Sequence, residues 1–198
     1  SEWGFVNGED CGVNNDALRD CQEQAKKIAE AVGYDGKGTV EFLLKVRPEG
    51  TASSYALELN GRIQCEWKAL GKLGNQGHEG VNTHALQLLA ACNKPVPEQS
   101  SYRPTAVAVC HDRIIVSNPG PTWDYPAKGQ FDGISFDKQP GLEVNFCRVP
   151  ISPEADYQMG NVLFTVTEDE TAATGETPIA LLAKKRQMFW NSVVYKGS

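Results

Sequence analysis

The chain has 198 residues, 40% of them hydrophobic and 22% charged, with a formal net charge of −6. That length can bury a real core in one large domain or two small ones. The acidic balance gives no electrostatic footprint for nucleic acid and no basic patch for anionic membrane. No apolar run approaches the roughly 20 residues a membrane helix needs.

Six cysteines (Cys11, Cys21, Cys65, Cys92, Cys110, Cys147) show no CxxC spacing, and three histidines (His78, His84, His111) complete no zinc pattern. The first residues, SEWGFVNGED, lack the charged and apolar regions of a signal peptide. The expectation is free thiols in a reducing cytoplasm.

In chain order, Asn15 to Val32 reads as a helix. Asn15 or Asp16 caps it, Leu18, Cys21, Ala25, Ile28, Ala29 and Val32 form its apolar stripe, and Gly33 stops it. The glycines of GYDGKG precede a strand from Thr39 to Val46. After the turn RPEGTASS comes a second strand, Tyr55 to Trp67, so the two form a hairpin. KALGKLGNQGHEGVN reads as a Gly-rich loop, and THALQLLAAC as a helix with Thr83 near its start, ended by NKPVPE.

The Pro-containing stretch from Asn93 to Tyr102 is the expected boundary. Beyond it lie short β segments in TAVAVCHDRIIVS, FDGISF, LEVNFCRV and NVLFTVT, then an amphipathic helix starting at Pro178. No solenoid repeat is present. The organisation is α+β in two parts, with domains at 1–94 and 95–198.

The second strand carries the chemistry. In YALELNGRIQCEW every second central residue is polar: Glu58, Asn60, Arg62, Gln64 and Glu66. Alternation alone is expected of a sheet with one solvated face. Asn and Glu are poor strand formers, however, and the partner strand carries one isolated carboxylate, Glu41, among apolar neighbours. Across a hairpin Glu41 and Glu58 fall close on one face, where two uncompensated carboxylates repel. A hard cation resolves that, since Mg²⁺ takes one or two carboxylates plus water and substrate phosphate. Asn60 adds a neutral oxygen. Arg62 can hold a small planar anion, Gln64 can add a hydrogen bond, and Glu66 is placed to act as a base.

These motifs resemble the closing part of the ATP-grasp fold, and within it the biotin carboxylases. GYDGKGTVEFLL matches that family's GY-G-GT-EF element, and Glu58 to Glu66 match its E-x-N-x-R-x-Q-V-E, with Cys65 in place of Val and Trp67 where His is common. The resemblance implies that Glu41, Glu58 and Asn60 ligate Mg²⁺ (or Mn²⁺). It implies bicarbonate on Arg62, Gln64 and the backbone at Cys65, with Glu66 as its base, and ATP with its adenine on Leu43 and Leu57. Arg62 and Glu66 are then the catalytic pair.

More loosely, the segment SNPGPTWDYPAKGQFDGISFDKQPGLEVNFC and the segment SPEADYQMGNVLFTVTEDE are similar to elements of that family's C-terminal domain. The implied architecture is the C-terminal part of an ATP-grasp domain, an antiparallel sheet with helices, followed by a small β-rich domain. Two departures stand out. Nothing corresponds to the family's upstream nucleotide-binding-like domain or ATP-grasp lid, so the expectation is the C-terminal half of a longer protein, inactive alone. An ungapped reading from Arg103 also puts Cys110 where the family sets an arginine against biotin, with His111 and Arg113 nearby.

The reading is a partial ATP- and Mg²⁺-dependent ligase that activates bicarbonate as carboxyphosphate for transfer to biotin. Its expected partners are ATP, bicarbonate, a biotin carrier domain and a second copy of itself. Two rivals use the same row: an ATP-grasp ligase with an amine or carboxylate acceptor, and a non-catalytic remnant that binds a partner. His78, in GNQGHEG, is read either as a substrate ligand or as a plain loop histidine.

Overall fold

The computed structural model describes residues 1–48, 51–64, 67–74, 83–96, 106–115, 134–146 and 158–195. They form two compact units: Phe5–Val107, and Ser1–Gly4 together with Ala108–Ser198. The mixed helix and antiparallel sheet content agrees with the α+β expectation.

In the 5–107 unit, helix α1 spans Asn15–Ala31. Its cap is Asn14, one residue earlier than the sequence reading, and the Asn14 side chain accepts from the Asp16 N–H at 2.7 Å. Gly33 takes a left-handed φ of 63°, and the Tyr34 N–H returns to the Ala29 carbonyl at 2.8 Å, closing the helix as glycine-ended helices do. Strands β2 (Thr39–Val46) and β3 (Ala52–Asn60) form an antiparallel pair. Helix α1 meets one face of β3, where the Gln24 amide and Ser54 hydroxyl bond at 2.7 Å and Ser54 donates to Asp20 at 2.9 Å.

Two expectations need correction here. Strand β3 begins at Ala52 and stops at Asn60 rather than running from Tyr55 to Trp67. Gly61 follows it, where a Cβ would lie 3.2 Å from the Tyr34 ring. The start of the expected Gly-rich loop is instead helix α2 (Trp67–Gly74), in which Ala69 is buried. Helix α3 (Thr83–Ala91) follows, and past its end Asn93 adopts a positive φ of 50°.

The other unit is a four-stranded sheet ordered β1 (Glu2–Phe5), β4 (Ala108–Ile115), β7 (Gln158–Val166), β6 (Leu142–Phe146). A short pair, β5 (Ile134–Ser135) with β8 (Val194–Tyr195), stands apart from it. Helix α4 (Glu168–Thr174) is absent from the sequence reading. A capping box starts it, with Thr167 and Glu170 exchanging side-chain bonds to each other's backbone N–H. Helix α5 (Pro178–Ser192) starts at its proline as expected and lays Leu182 and Phe189 on the sheet. Phe189 meets Phe164 edge-on at 5.5 Å. Val109, Cys110, Val162, Leu163 and Phe164 complete a core that is almost wholly withdrawn from water.

Candidate functional site

The site is built on the face of the β2–β3 hairpin that carries Glu41. The register makes Glu41 and Glu58 direct cross-strand partners, as the sequence predicts. Directly opposed like charges destabilise a hairpin unless something joins them. Here Asn60 joins them: its Nδ2 donates to Glu41 Oε1 at 2.9 Å and to Glu58 Oε1 at 2.8 Å. The three residues nearest the predicted cation therefore converge on one point.

Between Glu41 and Phe42 the register slips. Glu58 pairs with Glu41, but Phe42 pairs with Ala56, which leaves Leu57 as the extra residue of a bulge. The bulge matters for function, because it brings Tyr55 opposite Leu43, on the same face as the carboxylates. Leu43, Tyr55 and Leu57 are 58%, 55% and 63% exposed, an apolar surface laid beside two acids. The family resemblance singles out Leu43 and Leu57, and the register adds Tyr55 to the same apolar surface. Counting back by twos from Glu58 assigns Tyr55 to the opposite face, and only the bulge reverses that parity.

The strand's end is pinned from behind. A side chain at Gly38 would lie 2.9 Å from the Asn60 carbonyl and 3.0 Å from the Tyr34 ring. Tyr34 donates its hydroxyl to the Lys37 carbonyl at 2.7 Å, and the Gln87 side chain of α3 accepts from the Lys37 N–H at 2.6 Å. Gly36 and Gly38 of GYDGKG thus lie against the Tyr34 ring.

Arg62 lies past the end of β3, in a bend, and is exposed; Gln64 is half-buried. The five polar groups therefore do not share one strand: Glu58 and Asn60 do, and Arg62 and Gln64 follow in irregular chain. Cys65, Glu66 and His78 lie outside the described residues.

In the other unit, Cys110 belongs to the core of β4, and burial, reinforced by Asp112, pushes its thiol up to about 12. His111 is also buried, with Nδ1 3.1 Å from Glu2. Of the three residues flagged there, Arg113 presents its cation at the surface, paired with Glu2 at 2.7 Å.

The donor set suits a hard cation. Among the described residues no group of three His, Cys, Asp or Glu side chains could hold a metal. A cation here would rest on two carboxylates, an amide oxygen and oxygens of its ligand, the incomplete protein shell that Mg²⁺ accepts with phosphates.

Residues 11–72 match the family described as the carbamoyl-phosphate synthase L chain, ATP binding domain. The mitochondrial propionyl-CoA carboxylase alpha chain of Caenorhabditis elegans is 29% identical over 140 residues, 65% of this chain and 18% of that protein. The mitochondrial methylcrotonoyl-CoA carboxylase subunit alpha of Mus musculus is 29% identical over 108 residues, 54% of this chain and 14% of that protein. Residues 11–72 are thus similar to an ATP-binding domain, and the wider likeness is to biotin-dependent carboxylases.

In fold it is similar to the biotin carboxylase domain of Hydrogenobacter thermophilus 2-oxoglutarate carboxylase, a dimer solved with MgADP, ADP and bicarbonate. The TM-score is 0.60 at 16% identity, covering 94% of this chain and 37% of that one. The chain spans less than a fifth of the length of the propionyl-CoA carboxylase alpha chain it matches. Every candidate residue from Glu41 to Glu66 falls inside the matched 11–72 segment.

Proposed function

We propose that this chain supplies the closing face of a Mg²⁺- and ATP-dependent site that activates bicarbonate as carboxyphosphate for transfer to biotin. The observation that carries the reading is the carboxylate pair Glu41–Glu58, joined by Asn60 and bordered by exposed Leu43, Tyr55 and Leu57. Acids beside an apolar platform suit a ligand with a cation-bound phosphate end and a flat base, and a nucleotide is such a ligand.

When bound, Mg²⁺ would neutralise phosphate charge. The chain's own residues do the rest. Glu41, Glu58 and Asn60 hold the cation, and Leu43, Leu57 and Tyr55 cover the adenine. Arg62 grips bicarbonate with its planar fork, aided by Gln64 and the backbone at Cys65. Glu66 would take the bicarbonate proton, so that the freed oxygen can attack the terminal phosphorus of ATP, whose bond to the bridging oxygen breaks to release ADP. The partners are a biotin carrier domain and, as in the solved dimer, a second copy.

A second reading keeps this chemistry and changes the acceptor. It is favoured by Cys110, a core residue at the position from which an arginine was expected to face biotin. Both readings are tested by ATP hydrolysis with the protein at the full length its gene encodes. Bicarbonate dependence with stimulation by free biotin is expected; bicarbonate dependence without a biotin response selects the other acceptor. Glu66→Gln should cut this hydrolysis by about 10² or more while sparing Mg-ADP binding. Turnover preserved in that variant would remove Glu66 as the base.

A further inference from the structure

We infer that the cavity between residues 137–139 and the last turns of α5 is a second ligand site, built for a free α-amino acid with an apolar side chain. It lies within the Ala108–Ser198 part and draws on none of the hairpin chemistry.

The cavity measures about 320 Å³, at the lower end of the range for small-molecule sites. Its walls are fastened to each other. The Asp137 N–H donates to Ser192 Oγ at 3.0 Å, and the Ser192 hydroxyl donates to the Phe189 carbonyl at 2.8 Å. On the other side Gln139 Nε2 donates to the Lys185 carbonyl at 2.9 Å. The Phe136 ring meets Phe189 at 5.3 Å, and the β5–β8 pair continues both walls. A ligand therefore enters a pre-formed space and does not have to open it.

The groups left over are the ones a ligand can use. Asp137 and Lys138 line the cavity, and their charged ends make no hydrogen bond or ion pair among the described residues. Asn191 accepts from Gln187 at 2.7 Å through its oxygen, which leaves its NH₂ group uncommitted. The last turn of α5 holds no basic residue, so the partial negative charge of its carbonyls stands unanswered at this end of the cavity. Met188, 55% exposed, adds an apolar surface.

These groups sort by chemistry. Asp137 and the helix end favour an ammonium; Lys138 and the Asn191 NH₂ favour a carboxylate. Met188 offers a soft, adaptable contact for an aliphatic or thioether side chain. An α-amino acid carries all three functions on one carbon. A simple cation or a simple anion answers one charge and leaves the other bare.

The test is an NMR titration of the 198-residue chain, labelled at its methionine methyl groups, with L-leucine at neutral pH. The chain has two methionines, Met159 and Met188, and Met188→Leu assigns the signals. The expected result is a saturable displacement of the Met188 methyl, with Met159 in β7 unmoved. Isovalerate and isopentylamine each lack one of leucine's charges and should bind at least about tenfold more weakly. Asp137→Asn and Lys138→Gln should each weaken leucine binding by about the same factor. The Met159 signal shows whether each variant keeps the sheet intact. A Met188 methyl that stays still, or drifts without saturating, overturns the site. Isovalerate or isopentylamine binding as tightly as leucine, or leucine binding unchanged in both variants, overturns the amino-acid assignment.

Discussion

Asp112 is the most consequential charge away from the hairpin. It is 3% exposed, yet Arg186 Nε and Trp190 Nε1 both donate to its Oδ2 at 2.7 Å. Burial alone would raise its carboxyl, but hydrogen bonds from Ser1, Trp190 and Arg186 and the Arg186 charge outweigh it and hold the group below the usual range. A depressed carboxyl stabilises the fold above the unfolded value of about 3.9, and that contribution disappears as pH falls through the lower folded value. Asp112→Asn should therefore cost about 2 kcal/mol at neutral pH, with the difference shrinking as pH falls below the unfolded carboxyl value of about 3.9. Chemical denaturation of both chains at neutral pH and below that value checks it. At this scale the Glu41–Glu58 pairing was readable, since an isolated acid in one strand and a polar row in the next fix a register. Tyr55 was not, because a bulge has no signature in YALEL. The partner of Asp112 was also hidden, since Arg186 lies 74 residues away.

The hairpin and its glycine loop act as one element. Strand β2 keeps the bounds expected from Thr39–Val46, because β-rich residues between glycine and a turn leave little freedom. Strand β3 does not: it begins three residues earlier than expected and stops at Asn60. Gly38→Ala would place a methyl 2.9 Å from the Asn60 carbonyl, a backbone atom that cannot swing aside. The expected cost is about 2 kcal/mol, together with weaker Mg-ADP binding as Asn60 is displaced. Gly71→Ala is the contrast. It lies inside α2 with open space around it, so the change should be neutral or stabilising by up to about 1 kcal/mol. Melting temperatures of the two variants separate close approach from glycine content. Helix α4 was readable in principle, since Thr167 and Glu170 have capping-box spacing, but the β pattern that runs into it masks the signal.

Across the whole molecule, burial is uneven. The Ala108–Ser198 part holds Val109, Cys110, Val162, Leu163, Phe164, Leu182 and Phe189 at 2% exposure or less. In the 5–107 unit the buried apolar residues among those described are Ala69 and Ala106, and the sheet is a two-stranded hairpin. Two-stranded hairpins are marginal alone. Amides of β4 and β7 should therefore exchange with solvent about 10² times more slowly than those of β2 and β3. Mg-ADP should slow the hairpin selectively. Equal protection in both units would contradict this picture. The α+β content and the ATP-grasp motifs were legible because they are local patterns. Which unit carries the dense core was not, since it depends on how α5 covers a sheet assembled from distant segments.

The most direct test of the central claim is calorimetric titration of the chain with Mg-ADP, beside Glu58→Gln. The account predicts saturable, Mg²⁺-dependent binding that weakens by about tenfold or more in the variant, where one of two carboxylate ligands is lost. Equal affinity in both chains would mean that the Glu41–Glu58 pair holds no cation, and that the hairpin face is not the nucleotide site.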